Sequence, residues 1–116
     1  MILTLENFED EILNCFKPCV VTFKSSSCHL CKGLSQVVYR LKMRYGEHFK
    51  FGSVETFSEE EITDLFDIDG VPTVFLFING DGREIPYPDN PSIWSGYSEE
   101  YLVEYLEEFL RDDKQG

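Results

Sequence analysis

"FKSSSCHLCKGLSQVV", residues 23–38, sets two cysteines two residues apart, directly after an apolar run and directly before a helical pattern. The run, "CVVTF" at 19–23, is short, β-branched and flanked by breakers, which predicts a buried strand. Downstream, Leu34, Val37, Val38, Leu41 and Tyr45 recur at helical spacing until Gly46. The serines at 25–27 offer an N-cap. Cys28 therefore falls at a strand-to-helix junction, and the fold follows from what surrounds that junction.

Before it, Leu5, Phe8, Ile12 and Phe16 space as one helical face, with acids at the start and Pro18 as a stop. After it, "FKFGSVE" (49–55) alternates as a strand. Ser58 and Glu61 have capping-box spacing ahead of a helix that would bury Ile62, Leu65 and Phe66. "GVPTVFLFI" (70–78) predicts a further strand, "NGDG" a turn, and "REIPY" the returning hairpin strand. A Pro-rich loop leads to a last helix from Ser98 to about Leu110, burying Leu102, Tyr105, Leu106 and Phe109. The order α-β-α-β-α-β-β-α predicts an α/β fold. Its central mixed four-stranded sheet carries helices on both faces and occupies residues 1–116 as one domain.

The chain has 116 residues, 42% apolar and 15% aromatic, so an ordinary core suffices without cross-links. Its net charge of −12 argues against nucleic acid and against an anionic membrane surface. It suits solvated helix faces first, and recognition of a basic partner second. No apolar run approaches the ~20 residues needed to span a bilayer. The start "MILTLENFEDEIL" lacks a basic n-region, so a cytoplasmic protein is expected.

Four cysteines and two histidines raise the question of zinc. A strand over 19–23 would carry Cys19 roughly 15 Å from Cys28, too far for all four sulfurs to share one ion. No metal is expected. Cys15 and Cys19 read first as small buried thiols that fill space. A second disulfide or a regulatory thiol pair is the alternative. Cys28, at a helix N-terminus, meets unpaired N–H groups that favour a thiolate, and Cys31 lies one turn further in and better shielded. This spacing at such a junction predicts a redox couple.

These segments together resemble the thioredoxin superfamily, and thioredoxins most closely. "CHLCK" stands where that family has Cys-Gly-Pro-Cys-Lys, "FDIDGVPTVFLFINGDGRE" resembles its cis-proline strand and hairpin, and "SGYSEEYLVEYLEEFL" its closing glycine and helix. The resemblance implies a cis bond at Val71–Pro72, with Val71, Pro72 and Gly96 positioning an extended substrate and Trp94 at the rim. It implies a monomeric thiol–disulfide oxidoreductase with no cofactor beyond a Cys28–Cys31 disulfide. Its partners would be protein disulfides, with a thioredoxin reductase or glutathione as electron donor. Weaker likenesses to glutaredoxins and protein disulfide isomerase domains imply a glutathione-dependent reductase as one alternative. A non-catalytic binding subunit on the same fold is another.

The departures are local. Ser27 replaces the family's Trp, Thr22 its buried Asp, and Gln36 the proline that kinks the helix. His29 and Leu30 replace Gly-Pro. An imidazolium at His29 would favour the Cys28 thiolate and a more oxidising couple, with smaller contributions from Lys24 and Lys32. Without the Trp wall and the carboxylate, slower reduction of protein disulfides is expected.

Overall fold

The structure, a computed structural model, describes the backbone of residues 1–115 and the side chains of residues 1–112, so Gly116 of the expected domain lies outside the described residues. Strands β1 (Ile2–Leu3), β2 (Cys19–Lys24), β3 (Lys50–Glu55), β4 (Thr73–Ile78) and β5 (Asp81–Glu84) form one sheet in the order β1-β3-β2-β4-β5. β3 is parallel to β1 and β2, whereas β4 is antiparallel to β2 and β5. Helix α1 (His29–Tyr45) provides the crossover between β2 and β3, α2 (Glu60–Leu65) precedes β4, and α3 (Glu99–Gln115) closes the chain.

Strand alternation divides the core in two. Val20, Val74 and Leu76 face α1 and α3, where Leu34, Leu41, Leu102 and Leu106 are buried. Val21, Phe23, Phe75 and Phe77 face the other way, onto Phe8, Ile12 and Ile62. On that second face Phe66 packs on Phe8, Phe23, Phe75 and Phe77 with ring centroids 5.2–6.2 Å apart, within the range where edge-on aromatic pairs add to plain area burial. α3 is capped by Ser98, whose Oγ accepts from the Tyr101 N–H at 3.1 Å. It is tied to α1 where the Tyr45 hydroxyl donates to Glu107 at 2.6 Å. No helix among the described residues is long and apolar enough to cross a membrane.

Several expectations are corrected. The sheet has five strands, not four, because Ile2–Leu3 pairs in parallel with Ser53 and Val54. The N-terminal helix shrinks to a five-residue π-helical turn, Glu9–Leu13. Asn7 folds back on the chain first, its side chain accepting from the Thr4 N–H at 2.8 Å and donating to the Ile2 carbonyl. Only Phe8 and Ile12 of the expected face are buried, and Phe16 is 94% exposed. The Ser58–Glu61 capping box does not form. α2 starts at Glu60 without a side-chain cap, Glu59 instead accepts from the Leu5 N–H, and Leu65 faces solvent. The hairpin strand stops at Glu84, before Pro86, whose missing N–H ends the ladder.

Candidate active site

The N-cap of α1 is Cys28 itself, not one of the serines before it. Its backbone is extended (φ −89°, ψ 118°), and its Sγ accepts the Cys31 N–H at 3.2 Å. A cap is a free acceptor aimed at unpaired backbone donors, and a sulfur in that place accepts more strongly once ionised. The buried end of β2 and the bonds Cys28 N–H to the Ser25 carbonyl (3.2 Å) and Ser27 N–H to Ser25 Oγ (3.3 Å) hold the approach to the helix.

Helical phase separates the two thiols. Cys28 is half-buried at the mouth, whereas Cys31, three residues on, turns inward and is 2% exposed. Burial first, and then the hydrogen bond with Cys28, push the Cys31 thiol up to about 12 from an ordinary 9.0. Both cysteines are free thiols in this structure. Of their neighbours, His29 and Lys32 are exposed and Leu30 is half-buried.

Cys28 opens onto a groove of about 480 Å³ that it shares with Ser25, Ser27, Thr56, Phe57 and Val71. Val71 also borders an adjoining depression of about 330 Å³ lined by Pro72, Tyr87 and Tyr97. The Val71–Pro72 peptide is cis, as the resemblance implies. The structure therefore brings Cys28, Cys31, Val71 and Pro72 to one end of the sheet. Gly96, expected beside them, is buried with φ +71° and lines neither depression, because the Tyr87 ring covers it. Trp94, expected at the rim, is 70% exposed and lines neither depression.

Two residues of this region escape a reading of the sequence. Gly33 in α1 lets the backbone of the 92–96 loop approach so closely that a Cβ there would stand 1.8 Å from the Trp94 carbonyl oxygen. Glu55 ends β3 opposite Lys24, two pairs closer to the cysteines than Thr22, which faces Ser53. Its Oε1 is buried without a hydrogen-bond partner, and its charge adds to the rise at Cys31. Thr22 Oγ1 is buried and unpartnered on the same face. A strand-end carboxylate has no sequence signature, since charged strand ends are commonly solvated. Among the described residues no three His, Cys, Asp or Glu side chains group so as to hold a metal ion.

Comparison with known proteins agrees with this geometry. The family model described as Thioredoxin matches residues 1–106. Similar proteins include a thioredoxin of Borreliella burgdorferi, 28% identical over 90 residues, covering 78% of this chain and 70% of that protein. A thioredoxin of Griffithsia pacifica is 28% identical over 74 residues, covering 64% of this chain and 68% of its own length. A chloroplastic thioredoxin-like protein of Arabidopsis thaliana is 31% identical over 77 residues, or 65% of this chain but 29% of that longer protein. The chain belongs to the thioredoxin family, and it is a protein thiol–disulfide oxidoreductase.

Proposed function

We propose that Cys28 is the attacking thiol and Cys31 the resolving thiol of this activity, with protein disulfides as substrates. The observation that carries the assignment is the Cys31 N–H aimed at Cys28 Sγ at the mouth of the groove. The Cys28 thiolate attacks one sulfur of a substrate disulfide. A mixed disulfide forms, and the other substrate sulfur leaves and takes a proton. Cys31 then loses its proton and attacks Cys28 Sγ, expelling the second substrate thiolate. The substrate gains two electrons and two protons, and the Cys28–Cys31 pair is left as a disulfide. No metal or organic cofactor enters these steps.

The second attack is the demanding one, because a thiol held near 12 carries almost no thiolate at neutral pH. In this reading the Glu55 carboxylate receives that proton through water, in place of the Asp that Thr22 replaces. Val71 and Pro72 line the path of the substrate backbone, and His29, Leu30 and Lys32 set the potential. We place the protein in the cytoplasm as a monomer, recharged by a thioredoxin reductase or by glutathione.

Trapping tests the assignment. Cys31→Ser should accumulate a mixed disulfide with a model protein disulfide through Cys28, and Cys28→Ser should accumulate none. Trapping through Cys31, Cys15 or Cys19 would overturn it. Turnover with glutathione but not with a thioredoxin reductase would identify the donor.

A further inference from the structure

At the far end of β2 from the active-site groove, the chain leaves the π-helical turn and enters the strand through "CFKPC", residues 15–19. This connection is short and held at both sides. The Cys15 N–H donates to the Ile12 carbonyl at 3.4 Å, and Lys17 Nζ donates to the Gly46 carbonyl at 2.8 Å. The return brings both cysteines onto one cluster, with Cys19 wholly buried in the second core and Cys15 packed against its edge, half-exposed. The Cys19 thiol donates to the Lys17 carbonyl at 3.2 Å, on the cluster that Cys15 packs against. Burial first, then the neighbouring Cys15 thiol, push the Cys19 thiol up to about 12. Lys50, whose ammonium is fixed on Glu11, adds positive potential beside both sulfurs.

Two features separate this pair from inert core thiols. A space-filling cysteine needs no accessible thiol partner, yet Cys15 is reachable from solvent, and Phe16 beside it is 94% exposed. The pair also repeats the division seen at the other end of the sheet, one reachable thiol a few residues from one buried thiol. We infer that Cys15 and Cys19 form a second thiol–disulfide couple, separate from Cys28–Cys31 and opened through Cys15. β2 starts at Cys19 itself and carries the chain five residue steps, roughly 16 Å at strand rise, toward Cys28, so the two pairs cannot exchange with each other inside one molecule. The second couple must trade electrons with an external thiol or disulfide.

With oxidised glutathione as that disulfide the step balances. Cys15 attacks, one glutathione leaves as thiol, and Cys15 carries the other as a mixed disulfide. Cys19 then attacks Cys15 Sγ and expels the second glutathione thiol. The protein loses two electrons and two protons, and one glutathione disulfide becomes two thiols.

The test uses the full chain carrying Cys28→Ser and Cys31→Ser, titrated with oxidised and reduced glutathione and read by mass and by alkylation after unfolding. The inference expects a product lighter by two hydrogens, with neither Cys15 nor Cys19 alkylated, reached through a transient glutathione adduct on Cys15. Peptide mapping of the wild-type protein after the same titration should show the Cys15–Cys19 disulfide, whether or not the double variant folds. A stable single adduct on Cys15 with Cys19 still alkylatable, or two free thiols throughout, would overturn it. Either negative result leaves the Cys28–Cys31 assignment untouched.

Discussion

Gly33→Ala sets two effects of opposite sign against each other. On helix propensity alone an alanine in α1 stabilises by ~1 kcal/mol. The structure opposes this, because the new Cβ would stand 1.8 Å from the Trp94 carbonyl oxygen and 2.8 Å from its carbon. Relief requires a movement of more than an ångström by backbone, and the loop cannot give way cheaply. Ser92 and Gly96 exchange two backbone hydrogen bonds of 2.8 and 2.9 Å, and Ser92 Oγ accepts from the Trp94 N–H at 3.1 Å. Overpacking of this kind costs ~3 kcal/mol at the upper end of its usual range, which leaves a net loss of ~2 kcal/mol after the propensity gain. For a domain of this size that is a fall in Tm of roughly 8 °C. Thermal unfolding of the reduced protein measures it, with Gly70→Ala as the control, since nothing lies within 4 Å of a Cβ there. Because Gly33 follows Cys31 by two residues, the shifted helix should also slow mixed-disulfide formation. A Tm unchanged or raised by Gly33→Ala would refute the close approach and the sign argued from it.

Three further outcomes are expected. The thiols of Cys19 and Cys31 are raised from 9.0 to about 12 in the folded chain, so the folded state holds protons that the unfolded state loses between those values. The stability they contribute is complete below pH 9 and lost toward pH 12, with a slope of up to ~1.4 kcal/mol per pH unit for each thiol. Urea midpoints above pH 9 should fall more steeply for the reduced protein than for the Cys28–Cys31 disulfide form, and parallel curves would count against the raised Cys31. Glu55→Gln should lengthen the life of the mixed disulfide at neutral pH by ~10-fold or more, a modest general-base effect, and the deficit should shrink as pH rises. If charge alone mattered, removing Glu55 would speed resolution, so a shorter lifetime refutes the proton role. His29→Ala should make the couple less oxidising by no more than ~20 mV, because an exposed charge contributes only ~1 kcal/mol at most. A glutathione titration reads that shift, and none at all would reduce His29 to a solvated helix residue.

What the sequence discloses here depends on periodicity. β2, α1, β4 and α3 each carry enough apolar repeats to declare both type and face, and the cysteine pair inherits its position from two of them. β1 does not, since two residues hold no period and their pairing with Ser53 and Val54 is a long-range event. The N-terminal helix is misread for the opposite reason. Leu5, Phe8, Ile12 and Phe16 have helical spacing, but an Asn7 turn and a π-helical turn rotate the first and last away from the core. The cap goes to Cys28 rather than a serine because residue type suggests which side chains can cap, whereas the exit angle of β2 decides which one does. Gly33 and Glu55 owe their roles to chain segments about sixty and twenty-four residues away in sequence, at Trp94 and Cys31, and no local pattern records either meeting.

The departures at Thr22 and Ser27 fall on side chains, while the redox step itself rests largely on backbone. The N–H of Cys31 and the cis peptide at Pro72 are indifferent to which residue fills position 22 or 27. The two functions that do need side chains are the proton sink and the apolar wall beside Cys28, and each has a neighbour in place. Glu55 stands two sheet pairs from Thr22 toward the cysteines, with a buried carboxylate oxygen unspent on any hydrogen bond. Phe57, two residues on and 74% exposed, lines the same groove as Ser27 and Cys28 but from the segment between β3 and α2. An aromatic ring there offers an apolar surface in the groove that Ser27 does not. Both side chains come from the end of β3 and the residues just after it, so Phe57→Ala should change the rates at which different protein disulfides are reduced while leaving the Cys31 N–H on Cys28 Sγ in place. Equal rate changes for every substrate would count against an apolar wall there.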